Sequence, residues 1–78
     1  MNKVNTDILQ WINRFSKAQT LEELDRYRRV TDSVMDIYLD ENFLNIEEYC
    51  ELERRRVIAY YKRYQDICVA EQCKEVLK

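Results

Sequence analysis

Not one glycine or proline occurs in these 78 residues. Glycine normally supplies left-handed turn positions and helix C-caps, and proline normally breaks a helix, so the usual punctuation is missing throughout. Continuous helix is the default, and element boundaries must be read from capping residues. The expectation is one all-α domain over residues 1–78, a small bundle of three or four helices.

Asn5 or Thr6 is a candidate cap for a first helix, in which Ile8, Leu9, Ile12 and Phe15 recur at helical spacing with Trp11 on the flank. That helix is expected to end between Ser16 and Gln19. Thr20 followed by Glu23 is a capping box, in which each side chain accepts a hydrogen bond from the other's free backbone N–H, and it opens a second helix. Leu24, Tyr27, Val34, Met35 and Tyr38 give this helix its apolar side, with Glu22–Arg26 and Asp25–Arg29 as i,i+4 pairs. Thr31, Asp32 and Ser33 offer a break in its middle, and one helix running to about Asp40 is preferred over two.

The stretch DENFLN reads as a loop, because Asn45 with Glu48 forms a second capping box and Leu44 is placed to staple against Tyr49. A third helix then starts at Ile46. At about 100° per residue, Ile46, Tyr49, Cys50, Val57, Tyr60, Tyr61, Tyr64, Ile67 and Cys68 share one stripe. Val69, Cys73, Val76 and Leu77 point elsewhere, so a kink or a final short helix is expected near Asp66 to Val69. Glu53 falls inside the stripe. A carboxylate buried there needs a partner, and a tyrosine hydroxyl or an arginine from another helix is expected to meet it.

A chain this short has a marginal core, yet with 46% hydrophobic residues and six tyrosines it is too apolar for a disordered tail. Support from zinc is not expected: three cysteines, Cys50, Cys68 and Cys73, form no CxxC pair, and there is no histidine. They read as free thiols of a cytoplasmic protein, since neither a signal peptide nor a membrane-length apolar run is seen. No serine has a histidine to activate it and no glycine-rich phosphate loop exists, so neither an enzyme nor a cofactor is expected.

Charge is the remaining signal. The net charge is only −2, but between Val30 and Glu53 eight acids (Asp32, Asp36, Asp40, Glu41, Glu47, Glu48, Glu51, Glu53) occur with no lysine or arginine. Arg54 to Arg63 then holds five bases and no acid. A solvated face explains both blocks. A functional reading makes Asp36, Asp40, Glu41, Glu47, Glu48 and Glu51 a contact surface for a basic partner, with tyrosines as apolar anchors. Arg54, Arg55, Lys62 and Arg63 are the candidates for direct DNA contact, although Arg54, Arg55 and Arg56 point about 100° apart and make no single patch. DNA contact is expected to be weak or absent.

The segment RFSKAQTLEELDRY, Arg14 to Tyr27, resembles the first-loop and second-helix segment of the haemolysin-expression-modulating (Hha/YmoA) family of enteric bacteria. The matching residues are Arg14, Phe15, Lys17, Ala18, Gln19, Thr20, Leu24, Asp25 and Arg26. A second similarity lies in YCELERR, where Tyr49, Glu53 and Arg55 have the spacing of the family's tyrosine, acid and arginine. The resemblance implies a cytoplasmic helical protein that modulates transcription or nucleoid silencing by binding the dimerisation region of a histone-like nucleoid-structuring protein. The alternatives to this reading are an antitoxin, a phage-encoded inhibitor of a host enzyme, a direct DNA-binding regulator, or a homodimer paired through its tyrosine stripe.

Overall fold

A computed structural model describes the backbone from Lys3 to Val76 and the side chains as far as Glu71. It contains three α-helices, α1 (Lys3–Asn13), α2 (Leu21–Asp40) and α3 (Ile46–Val76), with a short 3₁₀ turn at Arg14–Lys17. No strand occurs among the described residues. Each α-helix packs against the other two. At about 1.5 Å rise per residue the 31 residues of α3 span roughly 46 Å, which explains an extent of 52 × 17 × 17 Å.

The caps set the boundaries where they operate. Glu23 N–H donates to Thr20 Oγ1 at 3.1 Å and Gln19 N–H donates back to Glu23 Oε1 at 3.3 Å. At α3 the reciprocal pair is Glu48 N–H to Asn45 Oδ1, 2.8 Å, and Asn45 N–H to Glu48 Oε1, 3.1 Å. Between these caps α2 must stop without glycine, and Asn42 takes that role at φ 62°. Asn42 N–H reaches Leu39 O and Phe43 N–H reaches Tyr38 O, the paired bonds of a Schellman ending. Asparagine is the residue that best tolerates this conformation after glycine.

Helix α2 is continuous through Thr31–Ser33. Thr31 is fully buried and its hydroxyl donates to Tyr27 O, 2.8 Å, so it bonds inside the helix instead of capping a new one. Two expectations are corrected. The first helix starts upstream of Asn5, and at its far end Ser16 Oγ donates to Asn13 O as the chain tightens into the 3₁₀ turn. The third helix has no break at Asp66 to Val69, since nothing there interrupts its backbone ladder. The side chains of Cys73, Val76 and Leu77 lie outside the described residues.

The core has two layers. Ile8, Ile12, Met35, Leu44 and Leu52 form the one near the α2–α3 turn, and Phe15, Ala18, Leu24 and Ile67 form the other. Leu44 and Tyr49 meet in the first layer, as a staple requires. Leu52, absent from the expected stripe, is buried, whereas Ile46, Cys50, Tyr61 and Tyr64 from that stripe are exposed. The true core face of α3 runs through Leu52, Ala59, Tyr60 and Ile67. Tyr49, Tyr60 and Ile67 of the expected stripe do pack in the core, while its other edge turns outward, so α3 carries two apolar directions.

Candidate functional site: an acidic corner

The charged residues divide by the helix face that carries them. On the α2–α3 face, Arg28 bridges Asp25 at 2.8 Å and Asp32 at 3.2 Å, and Arg56 reaches across from α3 to Asp32 at 2.9 Å. Hydrogen bonding to Arg28 holds the Asp25 carboxyl below the usual range despite some desolvation, and Asp25 in turn raises the Arg28 guanidinium. Arg28 also lies 5.9 Å above the Tyr60 ring. Tyr49 donates its hydroxyl to Asp36 at 3.1 Å, and burial, aided by that bond, pushes the phenol upward. On the α1–α2 side, Tyr38 donates to Asp7 at 2.8 Å, and this bond first, then burial, raises it.

The expected burial of Glu53 is corrected. Its side chain is 46% exposed and its partner is Arg56 on the same helix, at 3.7 Å. The rotation of the core face toward Leu52 and Tyr60 leaves Glu53 on the rim. Among the described residues the buried polar one is instead Thr31.

The six acids read as one contact surface do not share one face. Asp36 sits on the α2–α3 side against Tyr49. Glu47, Glu48 and Glu51 line a cleft of about 340 Å³ between α1 and α3, together with Asn5, Leu9, Leu52 and Arg55. The Asn5 Oδ1 atom is buried there with no hydrogen-bond partner. Glu51 is already paired with Arg55 at 3.4 Å and Arg54 at 3.8 Å, and Glu48 is engaged in its cap. Arginines from both sides of the acidic segment thus fold back on its middle: Arg28 on Asp32, Arg56 on Asp32 and Glu53, Arg54 and Arg55 on Glu51.

What remains uncompensated lies at the α2–α3 turn. Asp40 and Glu41 end α2 and Glu47 begins α3, all exposed, and none forms an ion pair with a described residue. The last turn of α2 holds no basic residue, so the negative end of that helix adds to the field of Asp40 and Glu41. At the same end Phe43 is 58% exposed, packing one edge on Tyr38, and Ile46 is 64% exposed. Phe43 and Ile46 could not be singled out from sequence, because an aromatic in a loop and an apolar first helical residue look like core.

The basic candidates are also split. Arg63 donates from Nε and Nη2 to Ala18 O at 2.9 and 2.6 Å, so it ties α3 to the end of the 3₁₀ turn. Arg54 and Arg55 engage Glu51. Lys62 is exposed with no ion pair to a described residue. No group of three or more metal-ligating side chains occurs among the described residues, and no described helix is long and apolar enough to cross a membrane. No family model, curated protein or solved structure matches this chain.

Proposed function

We propose that this protein works by contact with another protein, through the corner formed by Asp40, Glu41, Phe43, Ile46 and Glu47. The observation that carries this reading is the pairing of uncompensated carboxylates with exposed apolar side chains at one end of the bundle. Asp25, Asp32, Glu51 and Glu53 are met by the molecule's own arginines, whereas Asp40, Glu41 and Glu47 form no ion pair with a described residue. An apolar anchor supplies contact energy and a ring of like charge selects and steers the partner. The partner chemistry that fits is a basic, amphipathic helical segment.

Within that reading, modulation of transcription or nucleoid silencing through a histone-like nucleoid-structuring protein is the role the family resemblance suggests. The Arg14–Tyr27 segment that carries the longer part of the resemblance forms the 3₁₀ turn, the Thr20 cap and the start of α2, whereas the corner lies at the other end of α2. Its residues there are structural: Phe15, Ala18 and Leu24 are core.

Capture from a bacterial lysate tests the proposal. Wild-type protein is expected to retain a basic protein that is lost when Asp40→Lys, Glu41→Lys and Glu47→Lys are combined, with the helical circular dichroism unchanged. Equal capture by both proteins overturns it.

A further inference from the structure

The outer side of α3 carries a pattern that the proposed corner does not use. Arg54, Val57, Tyr61, Tyr64, Cys68 and Glu71 follow one another at separations of 3, 4, 3, 4 and 3 residues. These alternating steps form one heptad-type seam along a helix. The seam lies roughly 120° around α3 from the core line of Leu52, Ala59 and Ile67. Tyr61 is 60% and Tyr64 39% exposed, Val57 and Cys68 are half-buried, and Arg54 and Glu71 are open to solvent.

The two tyrosines are held outward. Both rings contact Tyr60, at centroid separations of 5.5 and 6.1 Å, and Tyr60 packs edge-on against the buried Phe15 at 6.3 Å. The seam is thus a rigid extension of the core, and little side-chain freedom remains to be lost when it is covered.

Its order decides what covers it. The spacing reads the same in both directions, and its ends carry opposite charges, Arg54 at one and Glu71 at the other. When two such helices meet antiparallel about a two-fold axis, Arg54 stands opposite Glu71, Val57 opposite Cys68 and Tyr61 opposite Tyr64, each layer occurring twice. A parallel pairing would instead set Arg54 against Arg54 and Glu71 against Glu71. Among the described residues Arg54 pairs only with Glu51, at 3.8 Å and on the surface, a contact weak enough to be exchanged.

We infer that the protein forms an antiparallel homodimer through this face of α3, the second copy being the occupant of the seam. Covering these side chains on both copies removes on the order of 1,000 Å² in total, the low end for a specific contact, so a reversible dimer is expected.

Sedimentation velocity on the full chain in reducing buffer, from about one to several hundred micromolar, tests this. The wild type is expected to pass from monomer to dimer across that range. Arg54→Glu and Glu71→Arg are each expected to weaken dimerisation about tenfold or more, by setting like charges in both end layers. The two changes combined in one chain are expected to restore it, as is mixing the two single variants. Tyr64→Lys is expected to leave a folded monomer, checked by circular dichroism. A chain that stays monomeric overturns the inference and leaves the seam to a foreign helix. A dimer indifferent to Arg54→Glu and Tyr64→Lys, or not restored by the combined charge reversal, overturns it as well.

Discussion

Arg56 Nε lies 2.9 Å from Asp32 Oδ1, and among the described residues this is the ion pair that joins two helices. The Arg56 side chain is only 15% exposed, so water screens it poorly. Arg56→Met is expected to cost about 1–2 kcal/mol, because Asp32 keeps Arg28 as a second partner and is not left with an unpaired charge. A double-mutant cycle with Asp32→Asn in urea denaturation reads the coupling directly, expected at about 1 kcal/mol. Additive effects would show that the pair is decorative.

Phe15 is fully buried where the 3₁₀ turn meets α2 and α3, and its ring also supports Tyr60. Phe15→Leu is expected to cost roughly 1–1.5 kcal/mol and lower the melting temperature by about 4–10 °C. Phe15→Ala is expected to cost about 3–5 kcal/mol, enough to consume much of the stability of a domain this size. A melting temperature unchanged in Phe15→Leu would contradict the packing described.

Arg63 tests whether a basic residue belongs to the fold or to a ligand. Removing it leaves the carbonyl of buried Ala18 without its two donors, so Arg63→Ala is expected to cost about 1–3 kcal/mol. Arg63→Lys should restore only part of this, since an ammonium cannot reproduce the guanidinium fork. Thermal melts of both variants provide the check; equal stability of wild type and Arg63→Ala contradicts the structural role.

Two phenols and one carboxyl make the stability of the fold depend on pH. Tyr38 and Tyr49 are both raised above the ordinary phenol value of 10.0, the first mainly by its bond to Asp7, the second mainly by burial. The folded chain therefore holds these protons more tightly than the unfolded one, and their contribution is complete below pH 10 and lost as pH rises through the raised values. Asp25 is lowered from 3.8, mainly by Arg28, so its contribution is present above that value and is lost as pH falls through the lowered one. Urea midpoints measured from pH 9 to 11 should fall, and Tyr38→Phe with Tyr49→Phe should flatten that fall.

Much of the fold was legible in the sequence because caps are local. Thr20 with Glu23 and Asn45 with Glu48 each act within three residues, so both helix starts could be read before any packing was known. The end of α1 could not, since it depends on Phe15 and Ala18 finding the core and on Arg63 arriving from 45 residues away. The stripe on α3 held for Tyr49, Tyr60 and Ile67 and missed at its outer edge for a related reason. Periodicity reveals an apolar direction but not which neighbour it meets, and α3 has two such directions. The uncompensated acidic corner was legible as composition only. Linear charge counting misses Arg28 and Arg56 folding back onto Asp32, and so it spread over six residues a feature that survives at Asp40, Glu41 and Glu47.

A photo-crosslinking amino acid placed at Phe43, with a control at Lys62 on the opposite side of the charge distribution, probes the corner itself. Irradiation in a bacterial lysate is expected to join the Phe43-substituted protein to one basic protein and to give no such product from position 62. A product at position 62 with none at 43 would contradict the proposal that this protein acts through its acidic corner.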